Sequence, residues 1–64
     1  MLDMLEERVQ FVAQVLRATL EQNDLYIAVD PKTEEFIFVD REAYHKNEGK
    51  IGRVKMNEIN MQKY

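Results

Sequence analysis

The sequence predicts an α+β fold in which a long N-terminal helix packs on an antiparallel β-hairpin. Three observations predict it: apolar residues recur at helical spacing over the first 22 positions, two later runs are rich in β-branched and aromatic residues, and a turn sequence separates those runs. At 64 residues the chain has room for one core. Residues 1–64 are therefore predicted to form a single small domain.

The first predicted element is a helix over about residues 2–22. Acidic residues near its start favour the positive end of the helix dipole, and Asn23 is predicted to end it in the left-handed conformation. Its main apolar residues recur at three- and four-residue steps, which places them along one stripe. This main stripe consists of Leu2, Leu5, Val9, Val12, Leu16 and Leu20.

A second apolar strip of the same helix consists of Met4, Phe11 and Val15, with Arg8 between the strip and the stripe. Together the two cover about half of the helix circumference, more than the roughly 100° of a typical surface helix. One of them can pack on the sheet of its own subunit and leave the other for a partner; the alternative is a small core that wraps round a wide helix. Arg8 either lays its stem along the helix edge or pairs with an acid across an interface.

Two strands are predicted at about residues 25–30 and 35–40, joined by a turn that begins with Asp30 and Pro31. Placing Asp30 opposite Glu35 sets the register of the hairpin. One face, which we assign to the helix, then carries Leu25, Ile27, Val29, Phe36 and Phe38. The other face carries Tyr26, Ala28, Ile37 and Val39. Because the second face of a one-sided sheet is normally polar, we expect the C-terminal segment or a second subunit to cover it.

The C-terminal third begins with Asp40, a residue type that caps helix starts, so a short helix or turn is predicted over 41–47. Gly49 is expected to break it. A candidate third strand covers 50–56, with Val54 and Met56 on one face. Residues 57–64 fit a strand, a helical turn capped by Asn57 or a frayed tail.

The small size of the chain favours self-association. A 7.6 kDa chain buries roughly 6,700 Å² on folding. If about 57% of that is apolar, its burial contributes on the order of 95 kcal/mol, whereas ordering some 60 residues costs about 90 kcal/mol. No cysteine is present to add a disulfide. We therefore expect a homo-oligomer, with a dimer favoured. The candidate self-association surface consists of Met4, Arg8, Phe11, Val15, Tyr26, Ile37 and Val39.

The residue types present argue against catalysis. The chain has no Ser and no Cys, and His45, its one histidine, is expected to be merely solvated, with Glu42 as its nearest candidate carboxylate. Neither glycine belongs to a phosphate-binding loop, and no metal-ligand spacing occurs, so no enzyme activity, cofactor or metal is predicted. With no signal-peptide pattern and no apolar run long enough to cross a bilayer, a cytoplasmic protein without membrane contact is expected.

The predicted function is thus a small homo-oligomeric protein–protein interaction or regulatory module without catalytic activity, acting on itself or on a partner protein. The alternative is nucleic-acid binding by the basic C-terminal third, through Lys46, Lys50, Arg53 and Lys55. Residues 41–64 hold six basic and three acidic side chains, a net of +3. The net charge of −3 for the whole chain and the pI near 5.0 weigh against it. A third, weaker candidate is a small-molecule site between helix and sheet.

Overall fold

The computed structural model describes residues 4–62 and shows a long helix followed by a three-stranded antiparallel sheet with the order β1-β2-β3. This confirms the predicted α+β class. The elements are α1 (Met4–Gln22), β1 (Leu25–Asp30), β2 (Glu35–Asp40), α2 (Arg41–His45), β3 (Ile51–Lys55) and a 3₁₀ turn (Met56–Ile59).

The helix α1 ends at Gln22, as the sequence predicts, although Leu2 and Asp3 of the predicted range lie outside the described residues. The prediction that Asn23 is left-handed was wrong by one position. Asn23 instead uses its side-chain amide to donate to the carbonyl of Thr19 at 2.8 Å, and Asp24 takes the left-handed conformation with φ 54°. Asp24 thus supplies the reversal that leads directly into β1.

The register of the hairpin is confirmed, since Asp30 lies opposite Glu35 and Ile27 lies opposite Phe38. A carboxylate oxygen of Asp30 accepts a hydrogen bond from the backbone N–H of Lys32 at 3.1 Å, which is how Asp stabilises the start of a turn. The chain returns into β2 through Glu34, which is left-handed with φ 56°.

The third strand is also confirmed, with the narrower bounds Ile51–Lys55, and it pairs antiparallel with β2. The short helix α2 ends at His45, inside the predicted range of 41–47. Asn57 is not the cap of a helical turn, because the 3₁₀ turn already begins at Met56 and its N-cap residue is Lys55. The sequence did not distinguish between a strand, a helical turn and a frayed tail for residues 57–64.

The packing of α1 on the sheet is limited to the end of the helix that leads into β1. Leu16 and Leu20 share one groove with Leu25 and Ile27 of β1. Every described residue of α1 except Leu20 is exposed. The radius of gyration is 13.9 Å, compared with about 10.7 Å for a compact chain of this length, and the longest dimension is 43 Å.

Among the described residues, only Ala43 of α2 is buried, with 3% of its surface exposed. The apolar residues of β2 are half-buried, because both faces of the sheet carry apolar side chains and one helix end cannot cover them. The single chain therefore has defined strand pairing but very little interior.

We expect Asp40→Ala to lower the free energy of unfolding by about 1 kcal/mol, the usual cost of removing a helix N-cap. The physical reason is that Oδ1 of Asp40 accepts a hydrogen bond from the backbone N–H of Ala43 at 2.8 Å. Urea unfolding at a fixed protein concentration measures the difference. Asp40→Asn keeps an acceptor oxygen and should unfold close to wild type; an equal loss in both variants would show that the cap is not the cause.

Candidate self-association surface

The helical half of the predicted surface is open to solvent. Met4, Arg8, Phe11 and Val15 are all exposed, and Phe11 retains 68% of its accessible surface. A single exposed apolar residue is ordinary, but a contiguous exposed apolar patch is typical of an interaction surface. These four residues follow one side of α1 and form a continuous strip at helical spacing.

Most of the main stripe of α1 is exposed as well, so the expected packing of one apolar strip on the subunit's own sheet is limited to Leu16 and Leu20. Val12, in the middle of this stripe, is 62% exposed, and Leu5 and Val9 are exposed to a similar degree. A helix of 19 residues is about 28 Å long, and α1 extends past the sheet instead of lying across it. Both apolar strips are therefore free of cover within the described chain, except near Leu16 and Leu20.

The sheet half of the surface is partly covered by α2. The ring of Tyr26 meets the ring of Tyr44 edge-on at 5.4 Å, and its hydroxyl lies 2.9 Å from Nε2 of His45, within hydrogen-bond distance. The guanidinium of Arg41 lies 5.9 Å from the centre of the Tyr26 ring. From the sequence we expected either the C-terminal segment or a second subunit to cover this face, and α2 of the C-terminal segment covers part of it. His45 is not merely solvated as expected, because Tyr26 is its partner.

Ile37 and Val39, the other sheet residues of the predicted surface, are half-buried. Val39 lines a shallow depression of about 370 Å³ together with Tyr26, Ala28 and Tyr44. The structure therefore places the predicted surface in two separate parts, an exposed helical strip and a sheet face that α2 already covers at one end.

The opposite end of the same sheet face is polar. The Nη1 atom of Arg53 donates to Oδ2 of Asp30 at 3.1 Å and to Oε1 of Glu35 at 3.2 Å. The hydrogen bond from Arg53 is the main cause that lowers the pKa of Asp30 below its ordinary value. The pKa of Glu35 is lowered first by a hydrogen bond from the Thr33 side chain and then by Arg53. One arginine on β3 thus ties the ends of β1 and β2 together.

Two of the candidate nucleic-acid contacts in the basic C-terminal third form ion pairs within the chain. Arg53, a candidate nucleic-acid contact, is engaged with carboxylates of its own chain, and Nζ of Lys46 pairs with Oε1 of Glu42 at 2.9 Å. The sequence suggested Glu42 as a carboxylate partner for His45, but Glu42 pairs with Lys46 and His45 lies within hydrogen-bond distance of Tyr26. Lys50 and Lys55 are exposed. The sequence does not contain the signal that would indicate the ion cluster around Arg53, because the register of β2 and β3, in which this residue lies opposite Ile37 and next to Glu35, is needed to place it.

The groove between α1 and β1 has a volume of about 420 Å³ and is lined mainly by Leu16, Leu20, Leu25 and Ile27. This groove lies between helix and sheet, the position at which the sequence suggested a small-molecule site as a third, weaker candidate function. Within residues 4–62, no three His, Cys, Asp or Glu side chains lie close enough together to hold a metal ion. No helix in that range is long and apolar enough to cross a membrane.

The ion cluster predicts how stability depends on acid. Because the pKa values of Asp30 and Glu35 are lowered in the folded chain, their contribution is present at neutral pH and is lost as the pH falls through those lowered values, below the ordinary 3.8 and 4.5. In Arg53→Gln, we expect the pKa of Asp30 to rise toward its ordinary value, because its largest lowering cause is removed while the hydrogen bond from the backbone N–H of Lys32 remains. The pKa of Glu35 should rise less, since Thr33, its largest lowering cause, still donates to it. Carboxyl ¹³C NMR titration measures both pKa values.

Lys46→Gln is the matched control for Arg53→Gln, because it removes one basic side chain from an ion pair elsewhere in the chain. It should leave both pKa values at their wild-type positions. An unchanged pKa of Asp30 in Arg53→Gln would show that Arg53 does not hold this carboxylate in solution.

Comparison of the chain with protein-family models, with curated proteins and with solved structures gave no match. The uncovered apolar surface of α1 is therefore the feature on which a function for this protein is proposed.

Proposed function

We propose that the protein is a small interaction module that works as a dimer of identical chains and acts through protein surfaces, without catalysis. The observation that carries this proposal is the accessible surface of the single chain, 5806 Å². A compact monomer of 7.6 kDa exposes about 4,300 Å². The chain thus exposes on the order of 1,500 Å² more than its mass requires.

The size of this excess supports a permanent dimer over a transient contact. If two chains cover the excess on each other, the interface removes roughly 3,000 Å² from solvent, which falls in the range of obligate homodimers. Such interfaces are more apolar than transient ones. The exposed residues of α1 fit that description, since Met4, Phe11 and Val15 lie beside the equally exposed main stripe.

A second copy is the occupant that the structure supports best, because the chain offers two surfaces of the same apolar character. The helix α1 extends past its own sheet with both apolar strips open, and the sheet faces are only half-buried. Two copies related by a two-fold axis can each place α1 on the other's exposed apolar surface, which covers both at once. Chains of this size without disulfides often gain stability through such association.

Sedimentation equilibrium over a hundredfold range of protein concentration tests this proposal. We expect a mass of about 15 kDa, twice the 7.6 kDa of one chain, and a fall toward one chain only at the lowest concentrations. A folded species with the mass of one chain at the highest concentration would contradict the proposal.

The substitution Phe11→Asp tests whether α1 forms the contact. Each of the two copies loses the burial of one Phe side chain, about 1.5–3 kcal/mol, so we expect the dissociation constant to rise at least about a hundredfold. Sedimentation of the variant measures this constant. Gln14→Asp is the matched control, because it introduces the same charge and the same helix propensity on the polar side of α1. Equal weakening by both substitutions would exclude a specific contact through Phe11.

A further inference from the structure

The sheet has two open edges, because β1 and β3 pair with β2 on one side only. Open edges promote unwanted strand pairing, and proteins usually protect them with charged residues, Pro or irregular strands. The β3 edge has such protection in its charged residues Arg53 and Lys55. The sequence of β1, LYIAVD, contains no Gly, Pro, Lys or Arg, and its one charge is Asp30 at the end. The edge of β3 thus carries protective charges and the edge of β1 does not, which is expected if another strand covers β1 but not β3.

The backbone groups on the open edge of β1 can be identified from the hydrogen bond at its start. The N–H of Arg41 donates to the carbonyl of Asp24 at 2.9 Å, in line with the register of β1 and β2. Antiparallel pairs alternate between bonded and non-bonded positions. The N–H and C=O groups that point away from β2 therefore belong to Leu25, Ile27 and Val29.

The same reasoning identifies the outward groups of β3. The N–H of Met56 donates to the carbonyl of Glu34 at 3.0 Å, in register with the pairing of β2 and β3. Alternation from this bond leaves the backbone groups of Ile51, Arg53 and Lys55 pointing to the outer edge. The outer edge of β3 can therefore serve as the control in experiments on the outer edge of β1.

We propose that β1 pairs antiparallel with β1 of a second copy, centred on Ile27, and joins the two three-stranded sheets into one continuous sheet. This inference rests on the proposed dimer and specifies how its two chains meet. The occupant is a second copy because the edge is complementary to itself in this register. Ile27 lies opposite Ile27 of the partner subunit, and Leu25 lies opposite Val29 of the partner subunit.

This register engages every outward-facing residue of β1. Moving the centre one residue toward Ala28 places Leu25 opposite Pro31 of the partner subunit, which has no N–H to donate. Moving it one residue toward Tyr26 places Val29 opposite Asn23 of the partner subunit, outside the strand. The register centred on Ile27 also sets the large ring of Tyr26 opposite the small side chain of Ala28 of the partner subunit.

The charges at the ends of β1 agree with this pairing. It brings Asp24 opposite Asp30 of the partner subunit, and two bare carboxylates there would repel each other. Each of these aspartates already carries an arginine of its own chain, since Arg41 pairs with Asp24 at 2.9 Å and Arg53 pairs with Asp30 at 3.1 Å. The intrachain ion pairs thereby remove the main electrostatic obstacle to the pairing.

The proposed pairing is also continuous with the surface of α1. An antiparallel pair within one sheet has its two-fold axis perpendicular to the sheet, so both copies of α1 lie on the same side of it. Each α1 packs against its own β1 through Leu16 and Leu20. The ends of both helices that carry Leu16 and Leu20 therefore lie beside the seam between the two copies, on the same side of the joined sheet.

Amide hydrogen exchange by NMR tests the edge directly on the intact protein. We expect slow exchange at Leu25, Ile27 and Val29, whose N–H groups have no partner in the lone sheet, and fast exchange at Ile51, Arg53 and Lys55. In a dimer with one labelled copy, we also expect an intermolecular NOE between the Hα atoms of Tyr26 and Ala28, since non-bonded antiparallel pairs bring Cα atoms to about 4.5 Å. A dimer with fast exchange at all three β1 amides would overturn the edge pairing and leave the proposed dimer standing.

Backbone N-methylation gives a second test that leaves every side chain in place. The chain is short enough for chemical synthesis, and a methyl group on the nitrogen of Ile27 blocks the outer edge without removing a bond to β2. We expect it to raise the dissociation constant at least about tenfold. The matched control is N-methylation of Arg53, on the outer edge of β3, which should leave the constant unchanged. If methylation at Ile27 left the dissociation constant of the dimer unchanged, the edge pairing would be overturned. If the wild-type protein were monomeric, the proposed function would be overturned as well.

Discussion

The apolar surface of α1 has no adequate cover within the single chain, and the rest of the structure depends on this constraint. The helix meets the sheet near Leu16 and Leu20, and the residues before them are exposed on both apolar strips. Within the described residues only Ala43 is buried. Burial of apolar surface is the dominant favourable contribution to folding, and the dimer proposed above is our account of where this chain obtains the burial that its own sheet does not provide.

What the single chain does fix is the geometry of its sheet. Arg53 joins the middle of β3 to the end of β1 at Asp30 and to the start of β2 at Glu35. At the other end of the same face, α2 partly covers Tyr26 with Tyr44 and His45. These contacts are exposed or half-exposed, and each contributes modestly to stability. Their effect is to hold β1 in one orientation with its outer edge open. An open edge without protective charges beside an exposed helix fits the association that we propose.

The elements and the hairpin register could be predicted because they depend on local signals. Helical spacing in α1, the Asp30-Pro31 turn and the cap at Asp40 each act over a few residues. The cluster around Arg53 could not be predicted in this way, because it needs the register between β2 and β3. The exposure of the main stripe at Leu5, Val9 and Val12 was not predicted, because the stripe pattern does not encode how much of the helix contacts the sheet.

The most direct test of the central claim is the dependence of the urea unfolding midpoint on protein concentration. If folding is coupled to dimerisation, a hundredfold increase in concentration stabilises the folded state by about 2.7 kcal/mol. With a slope of about 1–3 kcal/mol per molar urea, the midpoint should rise by roughly 1–3 M. A midpoint that stays the same over that range would show that the single chain is stable by itself, and would contradict the account.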